Sequence, residues 1–302
     1  MKKLLKLSAL FTLMISLFGL QVQPVSADEV INEKLGVPII VYGGNLTEEQ
    51  KAQTKELLEL SDSTVADEHT VTGEDLAKYI GGNPQSRMFS SAKITMEEEG
   101  TGLNVSIVTP DNITEVTSEM YANALLTAGV ENATVVVASP VKVTGHSALT
   151  GIYKAYDAEG VVLDKERMEL ANEELNVATD LVNDAGLDKD QVSELITQIK
   201  QAIAEQKPAS IEDIERIVQE QLDKLNISLS DKDRQLLIDL FDKMRSLNID
   251  FDQVKNQLND IATKVQDKIE EILADEGFWN NVGNFFKQLF DAIAGFFKSI
   301  FG

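Results

Sequence analysis

Few residues of this 302-residue chain combine the types and spacing that catalysis needs. The strongest candidate is the run at residues 145–149 (GHSAL), which resembles a nucleophile turn, in which a strained strand-to-helix turn exposes a serine. Leu149 stands where the last glycine of that motif belongs. A helix start capped by Ser147 or Thr144 explains the same residues more simply. We therefore assign no catalytic residue.

Metal and phosphate sites are equally hard to find in the sequence. His69 and His146 lie in different segments, and do not share one helical face as zinc ligands often do. The glycines at 43–44 precede a predicted helix, but no lysine or hydroxyl ligand of a nucleotide loop follows them. The acidic clusters at 97–99 and 180–190 lack the spacing of a calcium loop. We predict no metal and no other cofactor.

The elements that must position these residues change in character near residue 160. Before it, β-like and helical runs alternate. The strands are predicted at residues 38–42, 91–96, 103–108 and 133–138, and the helices at about 47–60, 74–80, 117–128 and 147–156. This order is that of a ferredoxin-like split βαβ layer, in which 91–96 and 103–108 form a hairpin. We therefore predict an α+β fold class, with residues 28–160 as an α/β domain.

Residues 161–277 are predicted to form an all-α helical bundle region. Asp188 with Gln191, and Asp250 with Gln253, have the spacing of capping boxes. Gly186, Asn226 and Asn248 stand at left-handed helix stops, before the next element starts. A seam with four-three-four spacing suits packing on one partner helix, and is formed by Val254, Leu258, Ile261 and Val265. An intramolecular bundle is favoured over a dimeric coiled coil because there are fewer than three clean heptads.

Residues 278–302 predict a terminal amphipathic helix. They hold eight of the 18 aromatic residues, and their large apolar side chains fall on one helical face. The segment is too polar to span a bilayer, so we expect it to lie at a membrane surface or in the groove of a hydrophobic protein partner. The predicted contact residues are Trp279, Phe286, Leu289, Phe290, Ile293, Phe297 and Ile300.

Residues 1–27 have the succession of a cleavable signal peptide: a basic start, a short apolar run and small residues before the cleavage point. We therefore expect an extracellular or envelope-associated protein. Cleavage removes three lysines and no acidic residue, so the formal net charge changes from −23 to −26. Such a charge argues against nucleic-acid binding. The absence of cysteine excludes disulfides and a cysteine nucleophile.

Three runs of the first region resemble a known family. They are residues 70–81 (beginning TVTGE), 117–129 (beginning TSEMYANAL) and 139–156 (containing TGHSALTGI). They are similar to the YpuA-like proteins, secreted proteins of Firmicutes that carry a domain of unknown function. The resemblance implies a Gram-positive envelope setting and no established activity, catalytic residue or cofactor. His146 occupies a position that holds small or acidic residues in the family pattern.

Together these patterns favour a secreted, envelope-associated binding or scaffold protein of unknown ligand, attached peripherally to the membrane through its terminal helix. One alternative is a freely secreted structural protein whose terminal helix packs back into the core. The other is a hydrolase that uses polar residues of the split βαβ domain. The sequence leaves the oligomeric state open.

Overall fold

A computed structural model describes residues 37–61 and 63–274, with side chains as far as Glu271. The predicted signal peptide and terminal helix lie outside these residues. The described elements are β1 (Ile39–Gly43), α1 (Glu48–Leu57), β2 (Asp67–Val71), α2 (Gly73–Ile80), β3 (Ser91–Met96), β4 (Leu103–Ile107), α3 (Ser118–Ala128), β5 (Ala133–Ala138), α4 (Ser147–Ala158), α5 (Lys165–Asn183), α6 (Lys189–Gln206), α7 (Ile211–Lys224), α8 (Asp231–Ser246) and α9 (Lys255–Ala274).

The five strands form one mixed sheet in the order β2-β1-β3-β5-β4. The two outer pairs, β1–β2 and β4–β5, are parallel, whereas β1–β3 and β3–β5 are antiparallel. Each parallel pair is connected through a helix, α1 in the first case and α3 in the second. The protein thus combines α and β structure, as predicted.

The finer prediction of a ferredoxin-like split βαβ layer with a β3–β4 hairpin is not what the sheet shows. β5 lies between β3 and β4, so the two predicted hairpin strands do not pair with each other. The sequence of β5, ATVVVA, is apolar on both faces, as suits a central strand. β4, with its polar Asn104 and Ser106, takes the edge instead.

Strand β2 is not predicted by the sequence pattern. Its sequence, DEHTV, contains one apolar residue, Val71, and only that residue is fully buried. Edge strands commonly carry charged and polar side chains, which protect their unpaired backbone edge from pairing with other chains. Strand β2 forms through its pairing with β1, from Ile39↔Asp67 to Gly43↔Val71. The hydrophobic pattern of its own sequence does not predict it.

The two faces of the sheet are covered unequally. One face buries Ile39, Val41 and Ile94 in the main hydrophobic core, together with residues of α3 and α4. The other face carries a small cluster in which Ile40 and Tyr42 pack with Leu58, just after α1. The larger core therefore lies on the side of the sheet that faces α3.

The helices after residue 160 share this larger core. Met168 and Leu175 of α5, and Val192 and Leu195 of α6, belong to the same cluster as the strand residues. The predicted boundary at 160/161 lies in the link between α4 and α5. The core continues across that link, and the division into two domains stays a prediction.

Several helices begin and end as the capping and stop residues in the sequence predict. Thr47 with Gln50 and Asp188 with Gln191 form complete capping boxes. The predicted stops have left-handed backbones at Gly186, Asn226 and Asn248. Because these features depend on residues a few positions apart, they can be predicted without knowledge of the tertiary fold.

The last described helix confirms the seam but not its predicted start. Val254, Leu258, Ile261 and Val265 are buried, and α9 packs on α6 of the same chain. The predicted capping box at Asp250 is wrong, because the helix starts only at Lys255. The Asp250 carboxylate instead accepts a hydrogen bond from the N–H of Asp252 (2.9 Å), which forms a turn before the helix.

Gly43 and Gly151 offer a test of the packing beside β1. A Cβ at Gly43 would lie 2.5 Å from the Met88 carbonyl oxygen, whereas one on Gly151 in α4 would meet Val41 at an ordinary 3.6 Å. We expect Gly43→Ala to lower the free energy of unfolding by about 1–3 kcal/mol through overpacking. Gly151→Ala should raise it by up to about 1 kcal/mol through helix propensity. Urea denaturation measures both, and equal effects would contradict this account.

Candidate functional site

The histidine of the candidate nucleophile turn has a partner other than the neighbouring serine. His146 Nε2 lies 3.2 Å from Thr179 Oγ1 of α5, and no hydrogen bond between His146 and Ser147 is found in the described part of the chain. His146 itself is the N-cap of α4 and makes no side-chain capping bond, so the expected cap by Ser147 or Thr144 is wrong. A serine activated by histidine requires that missing hydrogen bond.

Burial governs the chemistry of this imidazole. It lowers the pKa of His146 below its ordinary value of 6.5, because a charged ring is poorly solvated there. The carboxylates of Glu115 and Asp180 oppose this effect and raise the pKa. Burial beside Thr179 therefore favours a neutral His146 that bonds to a threonine.

In the glycine turn at the end of β1, the backbone N–H groups donate hydrogen bonds to other parts of the protein. The N–H of Gly43 donates to Ser91 Oγ (3.1 Å), and the N–H of Gly44 donates to the carbonyl of Val71 (2.8 Å). The next amide, that of Asn45, donates to the Met88 carbonyl (3.0 Å). These donors are thus engaged within the protein, and the turn connects β1 to its neighbours.

Within residues 37–61 and 63–274, no group of three or more histidine, cysteine or acidic side chains is arranged to hold a metal ion. The acidic run at 97–99 is used in part by the sheet, since Glu97 Oε1 accepts a hydrogen bond from Thr134 Oγ1 (2.8 Å). The run at 180–190 contributes Asp188, the N-cap of α6. These carboxylates have local structural partners.

The described residues contain a fully buried ion pair. The Lys200 and Glu174 side chains are 0% and 2% exposed, and Lys200 Nζ lies 2.6 Å from Glu174 Oε1. The ammonium group also donates to the Asn123 carbonyl (2.7 Å) and to Thr127 Oγ1 (2.8 Å). Thr127 in turn donates to Glu174 Oε2 (2.5 Å). All three donors of the ammonium group are therefore used.

Hydrogen bonds extend this cluster along α3 and α6. Asn123 Nδ2 donates to Thr197 Oγ1 (2.8 Å), which donates to the Ser193 carbonyl (2.7 Å). Ser193 Oγ lies 3.3 Å from Thr117 Oγ1, the N-cap of α3. The Lys200 ammonium lies 5.6 Å from the centre of the Phe251 ring. We call the group formed by Asn123, Thr127, Glu174, Thr197 and Lys200 the buried polar cluster.

The buried polar cluster joins the sheet region to the helical region. Asn123 and Thr127 belong to α3, whereas Glu174 and Lys200 come from α5 and α6. Burial lowers the pKa of Lys200, and Glu174 opposes this by stabilising the charged ammonium. With its donors satisfied and no exposed surface, Lys200 fixes the packing of three helices. This geometry gives it no access to a substrate.

The buried polar cluster was not predicted from the sequence, although one signal was present. Lys200 stands four residues after Ile196 and three before Ile203, within the apolar stripe of α6. A lysine inside such a stripe is either at a boundary or paired inside the core. Its partners come from other helices, so the pattern could not name Glu174.

The predicted contact residues between Trp279 and Ile300 lie outside the described residues, so they stay predictions. No helix within the described residues is long and apolar enough to cross a membrane.

Comparison with known proteins places the chain in a family. A family described as "Protein of unknown function (DUF1002)" matches residues 42–261, which include strands β2 to β5 and the buried polar cluster. The chain belongs to this family. It is 36% identical over 274 residues to the uncharacterized protein YpuA of Bacillus subtilis (strain 168), covering 87% of this chain and 91% of that protein. The predicted YpuA-like family is confirmed, with a Firmicute relative. No solved structure matches the chain.

The buried ion pair predicts a large loss of stability when one partner is removed. Lys200→Met leaves the Glu174 carboxylate buried without a cation, and should lower the free energy of unfolding by about 3–5 kcal/mol. The double variant Lys200→Met/Glu174→Leu should recover at least half of that loss, because no buried charge remains. The control Lys243→Met breaks the exposed Lys243–Glu173 pair and should cost less than about 1 kcal/mol. Additive losses in the double variant would contradict this interpretation.

His146 predicts a pH dependence of stability. The unfolded chain binds a proton on His146 as the pH falls below about 6.5, whereas the folded state binds it only at lower pH. Stability contributed by the neutral ring is therefore present above the unfolded pKa and is lost as the pH falls through the folded pKa. Denaturation curves between about pH 7 and pH 5 should show a slope that His146→Gln reduces, by at most about 1.4 kcal/mol per pH unit.

The matched control is Thr179→Val, which removes the hydrogen bond to the ring but retains an apolar neighbour. Because burial is the main cause of the lowered pKa, this variant should keep most of the slope. Burial raises the pKa of Asp190 and gives a dependence of opposite sign, which is common to all three proteins and cancels in the comparison. An unchanged slope in His146→Gln would refute the prediction.

Proposed function

We propose that the protein is an exported, envelope-associated binding or scaffold protein that attaches reversibly to the outer face of the membrane through residues 278–302. The proposal combines two sequence patterns, the signal peptide at 1–27 and the aromatic stripe at 278–302, with the surface of the folded body between them. The observation that carries it is the small apolar surface which that body exposes.

The exposed large apolar side chains of the described residues are few and mostly scattered. They are Val37, Val65, Val108, Val161, Val162 and Ile211. Only Val161 and Val162 are sequence neighbours, and they lie in the link between α4 and α5. A surface that receives an amphipathic helix needs a continuous apolar patch of several large side chains. The described residues therefore do not expose a continuous apolar patch on which the aromatic stripe at 278–302 could pack.

The terminal stripe must nevertheless be buried somewhere if it forms a helix. Each large apolar side chain gains about 1.5–3 kcal/mol when it leaves water, so the seven contact residues, four aromatic and three aliphatic, favour an apolar environment strongly. The polar face carries Lys287 and Lys298 against Asp291, a local positive excess in an acidic protein. Such a face reduces repulsion at an anionic lipid surface.

Vesicle co-sedimentation of the mature chain tests the proposal. With vesicles of phosphatidylglycerol and phosphatidylcholine, the chain that starts at Asp28 should sediment, and a chain ending at Gly277 should stay in the supernatant. The double variant Phe286→Glu/Phe297→Glu places two charges on the apolar stripe, and should reduce binding at least about tenfold, because charged side chains resist transfer from water.

The matched control adds the same two charges to the opposite face, as Asn280→Glu/Asn284→Glu, and should retain most of the binding. Melting temperatures of all four proteins complete the comparison. If truncation lowers the melting temperature by many degrees while the mature chain stays with the soluble fraction, residues 278–302 belong to the folded core and the proposal fails.

A further inference from the structure

We propose that a surface cavity beside the ends of α6 and α8 binds a free amino acid, whose ammonium and carboxylate groups are recognised by Asp250 and Arg245. The cavity has a volume of about 300 Å³ and opens to solvent. Its lining comes from the last turns of α6 and α8 and from the link that leads to α9. The site is distinct from residues 278–302, so it does not depend on attachment to a membrane.

The floor of the cavity is apolar. Ile203 and Phe251 line it and are buried, and Ile249 beside them is half-buried. The Phe251 ring also lies 5.6 Å from the Lys200 ammonium, which connects the floor to the buried polar cluster. An apolar side chain of a ligand would leave water on contact with this floor.

The link between α8 and α9 is held in place by contacts within the protein. Lys207 Nζ lies 2.7 Å from Asp252 Oδ2. The N–H of Asp252 donates to Asp250 Oδ1 (2.9 Å), and the N–H of Ile249 donates to the Met244 carbonyl (3.3 Å). Asp250 is therefore positioned before a ligand arrives, which lowers the entropic cost of binding.

Arg245 supplies a cation with donors to spare. Its Nε and Nη2 atoms lie 2.8 and 2.7 Å from Asp242 Oδ1, and its Nη1 donates to the Ala209 carbonyl (3.2 Å). A guanidinium group has five N–H donors, so two are left that no described residue uses. The half-buried Arg245 can therefore donate to the carboxylate of a ligand while it keeps its contacts within the protein.

Asp250 supplies the opposite charge. Its Oδ1 accepts the hydrogen bond from Asp252, and no described residue donates to its Oδ2. The nearby Lys207 is engaged elsewhere, because its pKa is raised mainly by the hydrogen bond to Asp252 and then by the charge of that carboxylate. The charge of Asp250 adds to this shift. Asp250 thus keeps a carboxylate oxygen for the ammonium group of a ligand.

A cation and an anion in one small cavity favour a ligand that carries both charges. A simple amine would leave the donors of Arg245 unused, and a simple carboxylate would be repelled by Asp250. The volume of about 300 Å³ lies at the lower end of the usual range for small-molecule sites, about 300–1,000 Å³. A free amino acid has both charges on one carbon and a side chain for the apolar floor, so it matches the cavity in charge and in size.

Isothermal titration calorimetry on the full mature chain tests the site with three compounds of one carbon skeleton. L-Leucine carries both charges, isopentylamine lacks the carboxylate, and isocaproate lacks the ammonium group. We expect leucine to bind with a dissociation constant of about 1 mM or tighter, and each analogue at least about tenfold more weakly, because a charged hydrogen bond is lost. Equal binding of leucine and either analogue, or no binding of leucine up to about 10 mM, would overturn the proposal.

Two substitutions test the assigned groups. Asp250→Asn removes the charge but keeps an oxygen for the N–H of Asp252, and should weaken leucine binding at least about tenfold without weakening that of isocaproate. Arg245→Lys keeps a cation but loses the planar fork, and should weaken leucine binding about fivefold or more without weakening that of isopentylamine.

The matched control is Asp231→Asn, which removes an exposed carboxylate at the other end of α8. It should bind leucine as the wild type does, and melting temperatures of all the variants confirm that they are folded. If Asp250→Asn binds leucine as tightly as Asp231→Asn, then Asp250 takes no part in recognition and the proposal fails.

Discussion

The amino group of Lys200 must have all of its hydrogen bonds supplied by protein, because it lies in a place that water does not reach. The fold meets this constraint with atoms from two other helices: a carbonyl and a hydroxyl of α3, and the carboxylate of Glu174 on α5. Each of these groups has the correct position only when α3, α5 and α6 pack in one arrangement. Apolar side chains tolerate small shifts, whereas this charge does not.

The buried polar cluster lies where the main core of the described residues passes from the sheet region to the helical region. α3 connects β4 to β5, so its location is set by the sheet, while α5 and α6 belong to the helical region. Arg167 of α5 strengthens the same junction, donating to the carbonyls of Leu126 and Thr127 at the end of α3. The polar contacts thus select the orientation of two regions that apolar burial alone would hold together less specifically.

Helix ends and the α9 seam could be predicted from sequence because their determinants are local. Thr117 caps α3 and Gly129 ends it, and these residues lie beside the elements they define. The strand order could not be predicted in this way. Whether β3 pairs with β4 or β5 depends on which strand best fills a place buried on both faces, a choice made by the whole sheet. The edge strand β2 lacks apolar periodicity and was missed.

The candidate site was harder still to predict. Lys200 and its α3 partners are more than 70 residues apart in the chain, and no spacing rule connects them. The nucleophile-like turn, by contrast, was visible as a motif, but its histidine bonds to Thr179. Short motifs state which residues are near in sequence, whereas function at a buried site depends on which are near in space.

The insertion of β5 between β3 and β4 has a consequence for the route by which the chain folds. β3 and β4 are separated by a short turn, so a hairpin between them closes quickly and at low entropic cost. That hairpin is absent from the native sheet, because β5 occupies the place between them. If β3 and β4 paired early, their hairpin would have to open before β5 could enter, and such non-native pairing would slow folding.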